Sequence, residues 1–215
     1  MKKMKMAVVV LLALSMLLTG CKSMIGAAIE ESIRRSEARE ISIKDMFSEK
    51  DGFHFPGYSW GDEFGAFQQA ADFPISEIAG YSEDGTFYDA ADWHVNLDGM
   101  INDGATVATD MIECVQMVMF EYSGSKTPIS KAEFQAFADN IGKYFTIQPT
   151  VKERDEETDT VTYHYVTYYW TYTLPDGKET SLQWASATVK GTTNPSAVTF
   201  SLSYLAPEEK KDEKK

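Results

Sequence analysis

Histidines, cysteines and paired carboxylates are where chemistry would start, and in this chain they do not converge. His54, His94 and His164 stand far apart, in none of the spacings that gather imidazoles around zinc. Structural or surface roles are expected for them, and no metal site is read. The acids of DGMINDG, residues 98–104, lack the alternating ligands and distal glutamate of an EF-hand loop, so they are read as turns. Cys114 lies in the apolar stretch MIECVQMVMF, where a thiol behaves as a small buried hydrophobe. A catalytic thiol would need an activating histidine and an electropositive niche. Phosphate loops, nucleophile elbows and H-E-x-x-H motifs are missing from the sequence. Nothing selects a carboxylate pair for glycoside cleavage. The chain is therefore read as no enzyme, with no cofactor.

A different pattern points to binding. Residues 160–174, TVTYHYVTYYWTYTL, separate into two faces at a strand's period of two. Even positions carry His164, Val166, Tyr168, Trp170, Tyr172 and Leu174, the more apolar set, expected against helices. Odd positions carry Tyr163, Tyr165, Thr167, Tyr169, Thr171 and Thr173, expected toward solvent. The last strand, AVTFSLSYL, divides likewise, with Val198, Phe200, Leu202 and Tyr204 inward and Thr199, Ser201 and Ser203 outward. Tyrosines give rigid amphipathic contact area at small entropic cost, which suits a binding surface. Cross-strand Tyr–Thr pairs would equally serve to stabilise the sheet, and glycan stacking is a third use of the same face. Trp60 at the first helix entry is read as an anchor for the turn or as a ligand-stacking ring.

An order of elements recurs behind these candidates. FPGYSWGDEFGAFQQAADF puts Phe64, Phe67 and Ala71 on one helical face, with Asp62 or Ser59 as cap. Strand-like TFYDAADWHVNL, ATVATDMI and CVQMVMFEYS follow, punctuated by Asp84-Gly85, Asp98-Gly99 and Asp103-Gly104, a hairpin signal. The second helix opens at Ser130 and Glu133 as a capping box, with Ile129 and Phe134 as a staple. Phe134, Phe137, Ile141, Tyr144 and Phe145 form its core stripe. KERDEETDT, residues 152–160, reads as a solvated loop, and three strands rich in Thr, Tyr, Val and Trp follow. The expectation is an α+β fold of tandem helix-plus-antiparallel-meander repeats at 49–126 and 127–205, with the helices packed on one face of the sheet.

The front of the chain carries its own chemistry. Residues 1–5 are basic and 7–18 form a mostly apolar run of twelve, short of the ~20 a membrane-crossing helix needs. The run ends at Leu18-Thr19-Gly20-Cys21, which resembles the lipobox of bacterial lipoproteins. That resemblance implies cleavage after residue 20, acylation of the Cys21 thiol, and a membrane-anchored protein outside the cytoplasm, in the outer membrane if the host has one. Each fatty chain adds about 0.8 kcal/mol per buried CH₂, and two or more hold firmly. Residues 21–48 are read as lipidated N-terminus and stalk, and 206–215, APEEKKDEKK, as a disordered charged tail. Removing residues 1–20 takes away Lys2, Lys3 and Lys5 and no acid, so the net charge moves from −13 to −16. Like charge argues against nucleic acid and anionic wall polymers as partners.

The helix-then-meander doublet and the entry GYSWGDEF are similar to the tandem domains of β-lactamase inhibitory protein and related secreted or lipid-anchored bacterial proteins, over residues 53–205. The resemblance implies a concave sheet used for protein binding, with helices behind it. The disulfides of those inhibitors have no counterpart, since Cys114 is the one cysteine besides Cys21. The resulting expectation is a non-catalytic module that binds an envelope or secreted protein. A cell-surface carbohydrate-binding protein or wall-associated hydrolase, or a structural envelope component, are the alternatives.

Overall fold

The computed structural model describes residues 32–74, 78–82, 85–123 and 128–205. The Leu18–Cys21 lipobox and the tail at 206–215 lie outside the described residues. The chain divides into two units after Ala38. In the first, residues 32–37 are helical (α1), closed by Ala38 N–H on the Arg34 carbonyl at 3.1 Å.

The second unit opens with β1 (Arg39–Ile41), a 3-10 turn (Ile43–Met46), β2 (Phe47–Ser48) and β3 (Gly52–Phe53). Helix α2 (Phe64–Ala71) precedes β4 (Ile78–Ser82), β5 (Gly85–Ala90), β6 (Val95–Leu97), β7 (Met100–Ile101), β8 (Gly104–Asp110) and β9 (Val115–Ser123). Helix α3 (Lys131–Tyr144) precedes β10 (Thr150–Glu157), β11 (Thr162–Thr173), β12 (Glu179–Val189) and β13 (Ala197–Leu205). The fold is α+β, dominated by one antiparallel sheet of eight strands in the order β10-β11-β12-β13-β9-β8-β5-β4. Its middle seam joins β13 to β9, from Ala197 opposite Ser123 to Ser203 opposite Met117. Strands β1, β6 and β7 form a small separate sheet, and β2 pairs with β3.

Register assigns the faces, because residues paired across strands point the same way. Tyr168, Trp184, Phe200, Phe120 and Ala105 follow one another across five strands on one face. Helices α2 and α3 pack there. Helix α3 lays Phe134 and Phe137 on Trp184, at ring distances of 5.2 and 4.6 Å, and its Phe134 carbonyl accepts from Trp184 Nε1 at 2.9 Å. Helix α2 packs Phe67 against Phe55, Phe73 and Trp93, and Trp93 in turn meets Phe120 at 5.4 Å. The α3 entry forms as its residue types dictate. Ser130 Oγ accepts from Glu133 N–H while Glu133 Oε2 accepts from Ser130 N–H, satisfying two otherwise orphaned donors.

Several sequence expectations are corrected. KERDEETDT is no loop between helix and strand, since residues 152–157 belong to strand β10 at the sheet's edge. Edge position explains the composition, because a strand paired on one side is kept soluble by charge. Residues 39–48, read with the stalk, are built into the fold, and Ile41, Ile43 and Met46 are buried. The cap of α2 is Glu63, with no side-chain cap bond, in place of Asp62 or Ser59. TFYDAADWHVNL breaks in two at residues 91–94: β5 enters the large sheet, while β6 pairs with β1 and β7. Asp98-Gly99 makes the β6–β7 hairpin, with φ of 46° and 102°, whereas Asp103-Gly104 joins two strands that do not pair. Tyr144, placed in the α3 stripe, is exposed, one turn past the buried Ile141.

Candidate functional site

The face opposite the helices collects the odd positions of β11. Arg154 pairs with Tyr165 and Lys152 with Thr167, so both cations of β10 rise on that face too. The Arg154 guanidinium sits 4.7 Å over the Tyr165 ring, and Lys152 Nζ sits 5.0 Å over Tyr169. Each such contact contributes about 0.5–1 kcal/mol at exposed sites. Tyr163 and Tyr165 lie 6.1 Å apart between ring centres. Tyr163, Tyr165, Thr167 and Tyr169 are half-buried, and Thr171 is exposed. Val151, Lys152, Glu153, Arg154, Thr167 and the rings of Tyr165 and Tyr169 line a depression of 680 Å³.

Beside this tyrosine row the sheet floor is made of small residues. Ala185 and Ala187 of β12 pair with Thr199 and Ala197 of β13, on the same face as Thr167 and Tyr165. Ser201 and Ser203 point to this face but are buried, contrary to the outward, solvated position expected of them. Their cross-strand neighbours explain it: Ser201 lies between Gln183 and Met119, Ser203 lies between Ser181 and Met117, and Ser203 Oγ is 2.7 Å from Ser181 Oγ. A small polar floor between bulkier walls is close-packed without facing bulk water. The far wall is Met117 and Met119 of β9, with Glu121 and Asp89, which both accept from Thr106 Oγ1.

The even positions of β11 go to the other side. Trp170 is fully buried, and Tyr168 meets Phe134 at 5.9 Å and donates its hydroxyl to Gln135 Oε1 at 2.6 Å. Trp60 also lies on that side, apart from the tyrosine row. Its Nε1 donates to the Phe53 carbonyl at 2.6 Å, and its ring stacks on Tyr204 at 5.6 Å. That geometry anchors the turn before α2. Lys152 and Arg154 join the site without having been singled out in the sequence, although their spacing of two was the available signal.

The remaining reactive groups stay apart. His54 Nδ1 lies 3.0 Å from the Gly52 carbonyl and His94 Nδ1 3.2 Å from the Asn102 carbonyl. His164 bonds Asp155 at 2.8 Å, which holds that carboxyl below its usual range, with Lys190 adding to the effect. Among the described residues no three of His, Cys, Asp and Glu converge to hold a metal ion. Cys114 is buried and points its thiol at the Gly61 carbonyl, 3.2 Å away. Burial, then Asp110, Glu63 and Asp62, push its pKa up, opposite to what a nucleophilic thiolate requires. Among the described residues no helix is long and apolar enough to cross a membrane. No protein-family model, curated protein or solved structure matches this chain.

Proposed function

We propose that this protein binds another protein through the sheet face opposite its helices, without catalysis, while held to a membrane by a lipid on Cys21. The observation that carries the reading is the half-buried row of Tyr163, Tyr165 and Tyr169, propped by Lys152 and Arg154 beside a small-residue floor. Rings braced by cations and cross-strand neighbours are preorganised, so little side-chain freedom is lost when a partner covers them. Glycan stacking is less well served, because the Tyr165 and Tyr169 rings already carry a cation.

The strand order supports reading residues 49–126 and 127–205 as two like units. Each supplies one helix and then four strands to the large sheet, and their last strands, β9 and β13, meet at the seam. A continuous sheet face across both units is the surface that the resemblance to the inhibitory-protein domains implies. The anchor places that surface outside the cytoplasm, where envelope or secreted proteins are the partners within reach.

The test is photo-crosslinking from position 163 in the intact envelope, followed by titration of the crosslinked protein, purified, against wild type and Tyr165→Ala/Tyr169→Ala. Aromatic anchors at an interface centre cost 2 kcal/mol or more on truncation, about thirtyfold in affinity. Loss of that order, with the fold retained and stability lowered only by the roughly 1–2 kcal/mol of the two lost cation–ring contacts, supports the face as the binding site. Equal affinity of both forms overturns it.

A further inference from the structure

Helix α3 is too short to cover the strands beneath it. Its 14 residues span about 21 Å, whereas the 12 residues of β11 span about 40 Å. Phe134, near the start of α3, already sits on Trp184, the cross-strand partner of Tyr168. The helix-side residues of β11 before Tyr168 line a cleft of 510 Å³ instead. Its floor is two cross-strand pairs, Val166 with Ser186 and His164 with Thr188. The start of α3 with Tyr168 forms one wall, the β12–β13 turn from Lys190 to Pro195 another, and Glu153 of β10 the outer side.

Three features set the chemistry that fits. Trp170 stacks on the Tyr168 ring at 6.1 Å and 22°. Val166, two residues back on the same strand face, is too short to cover the ring's other side, and Tyr168 lines the cleft. Among the described residues no cation sits over this ring, unlike those of Tyr165 and Tyr169. The polar groups are mixed. His164 donates Nδ1–H to Asp155 at 2.8 Å, which leaves Nε2 of the neutral ring an acceptor, 3.8 Å from Glu153 Oε2. Ser186 and Thr188 add hydroxyls that both donate and accept. Charge is balanced, since Lys131 and Lys190 are matched by Glu153 and Asp155, with Lys190 Nζ 3.9 Å from Asp155 Oδ2. A fatty chain would leave the polar groups unpaired, and a strongly charged ligand would meet no net opposite charge.

We propose that this cleft binds a neutral saccharide of one or two rings. The C–H face of a sugar ring lies on Tyr168, and its hydroxyls bond Glu153, His164 Nε2, Ser186 and Thr188. The volume falls in the roughly 300–1,000 Å³ range of small-molecule sites, which join apolar walls to a few convergent polar groups. The site is on the helix side of the sheet, so it stands or falls apart from the tyrosine row.

The full chain, held in a detergent without a sugar headgroup, is titrated with maltose, cellobiose and N,N′-diacetylchitobiose by saturation-transfer NMR. At least one receives saturation at its ring C–H protons. Glu153→Gln removes a charged acceptor from an exposed position and weakens that binding about tenfold. Thr188→Val removes a hydroxyl of this cleft and weakens it about fivefold. Glu157→Gln, on the same strand but outside the cleft, leaves it unchanged. Tyr168→Ala abolishes stacking; because Tyr168 also holds Gln135 of α3, the two milder variants carry the test if that form unfolds. No transfer to any of the three sugars, or binding insensitive to Glu153→Gln or to Thr188→Val, overturns the proposal. So does displacement of the sugar by inorganic phosphate at equal concentration, which would make the cleft an anion site.

Discussion

Asn102→Ala removes a fully buried side chain whose bonds among the described residues include three to the backbone. Its Oδ1 accepts from Val95 N–H at 2.6 Å, and Nδ2 donates to the Trp93 and Gly104 carbonyls at 3.0 and 2.8 Å. These bonds return the chain from the β6–β7 excursion to the large sheet and seat Trp93 beneath α2. Val95 and Trp93 are buried, so their stranded backbone groups cannot turn to water, whereas the Gly104 carbonyl is partly solvated. A hydrogen bond contributes about 1 kcal/mol net, and a buried group left unpaired costs about 1–3 kcal/mol, which together give a loss of about 3–5 kcal/mol. That is a large share of the roughly 5–15 kcal/mol that holds a domain folded. Urea unfolding followed by tryptophan fluorescence reads it. With a slope of about 2 kcal/mol per molar, the midpoint falls by about 2 M. Asn96→Ala is the internal control, because that side chain bonds Glu40 and Gly99 N–H at the surface and its loss stays near 0.5 kcal/mol. A midpoint for Asn102→Ala no lower than that of Asn96→Ala would refute the hydrogen-bond account of this junction.

Two further outcomes follow, one from the α3 capping box and one from the proposed lipid anchor. Hydrogen bonds from the Ser130 side chain and then its backbone hold the Glu133 carboxyl below its ordinary pKa, so the stability linked to it is present above the unfolded value and is lost as pH falls through the folded one. Glu133→Gln therefore destabilises at neutral pH and matches wild type below the carboxylate range, while Ser130→Ala costs about 1 kcal/mol at neutral pH; urea midpoints across pH check both, and a Glu133→Gln deficit that persists in acid would count against the box. Under the proposed lipid anchor, Cys21→Ser is expected to abolish incorporation of labelled palmitate and move the protein from the membrane to the soluble fraction; unchanged fractionation rules out the anchor.

How much was legible depends on how local each determinant is. The α3 cap and stripe lie within four residues of their partners, so Ser130, Glu133, Phe134, Phe137 and Ile141 stand where their spacing put them. The period of two in β11 likewise separated Trp170 from Tyr165 and Tyr169 before any fold was in hand. Strand β10 escaped because charge usually marks solvated loops; yet Lys152 and Arg154 alternate with Glu153, Asp155 and Glu157, a strand period written in charges. Non-local matters were decided only by the folded chain. The burial of residues 39–48, the break between β5 and β6, and the enclosure of Ser201 and Ser203 each depend on partners dozens of residues away. So does the placing of Lys152 and Arg154 over the tyrosines, which needs the β10–β11 register. Local spacing encodes which side of an element is apolar; which element covers that side, and which cation meets which ring, is set by pairing at long range, where a one-residue slip would reverse every face.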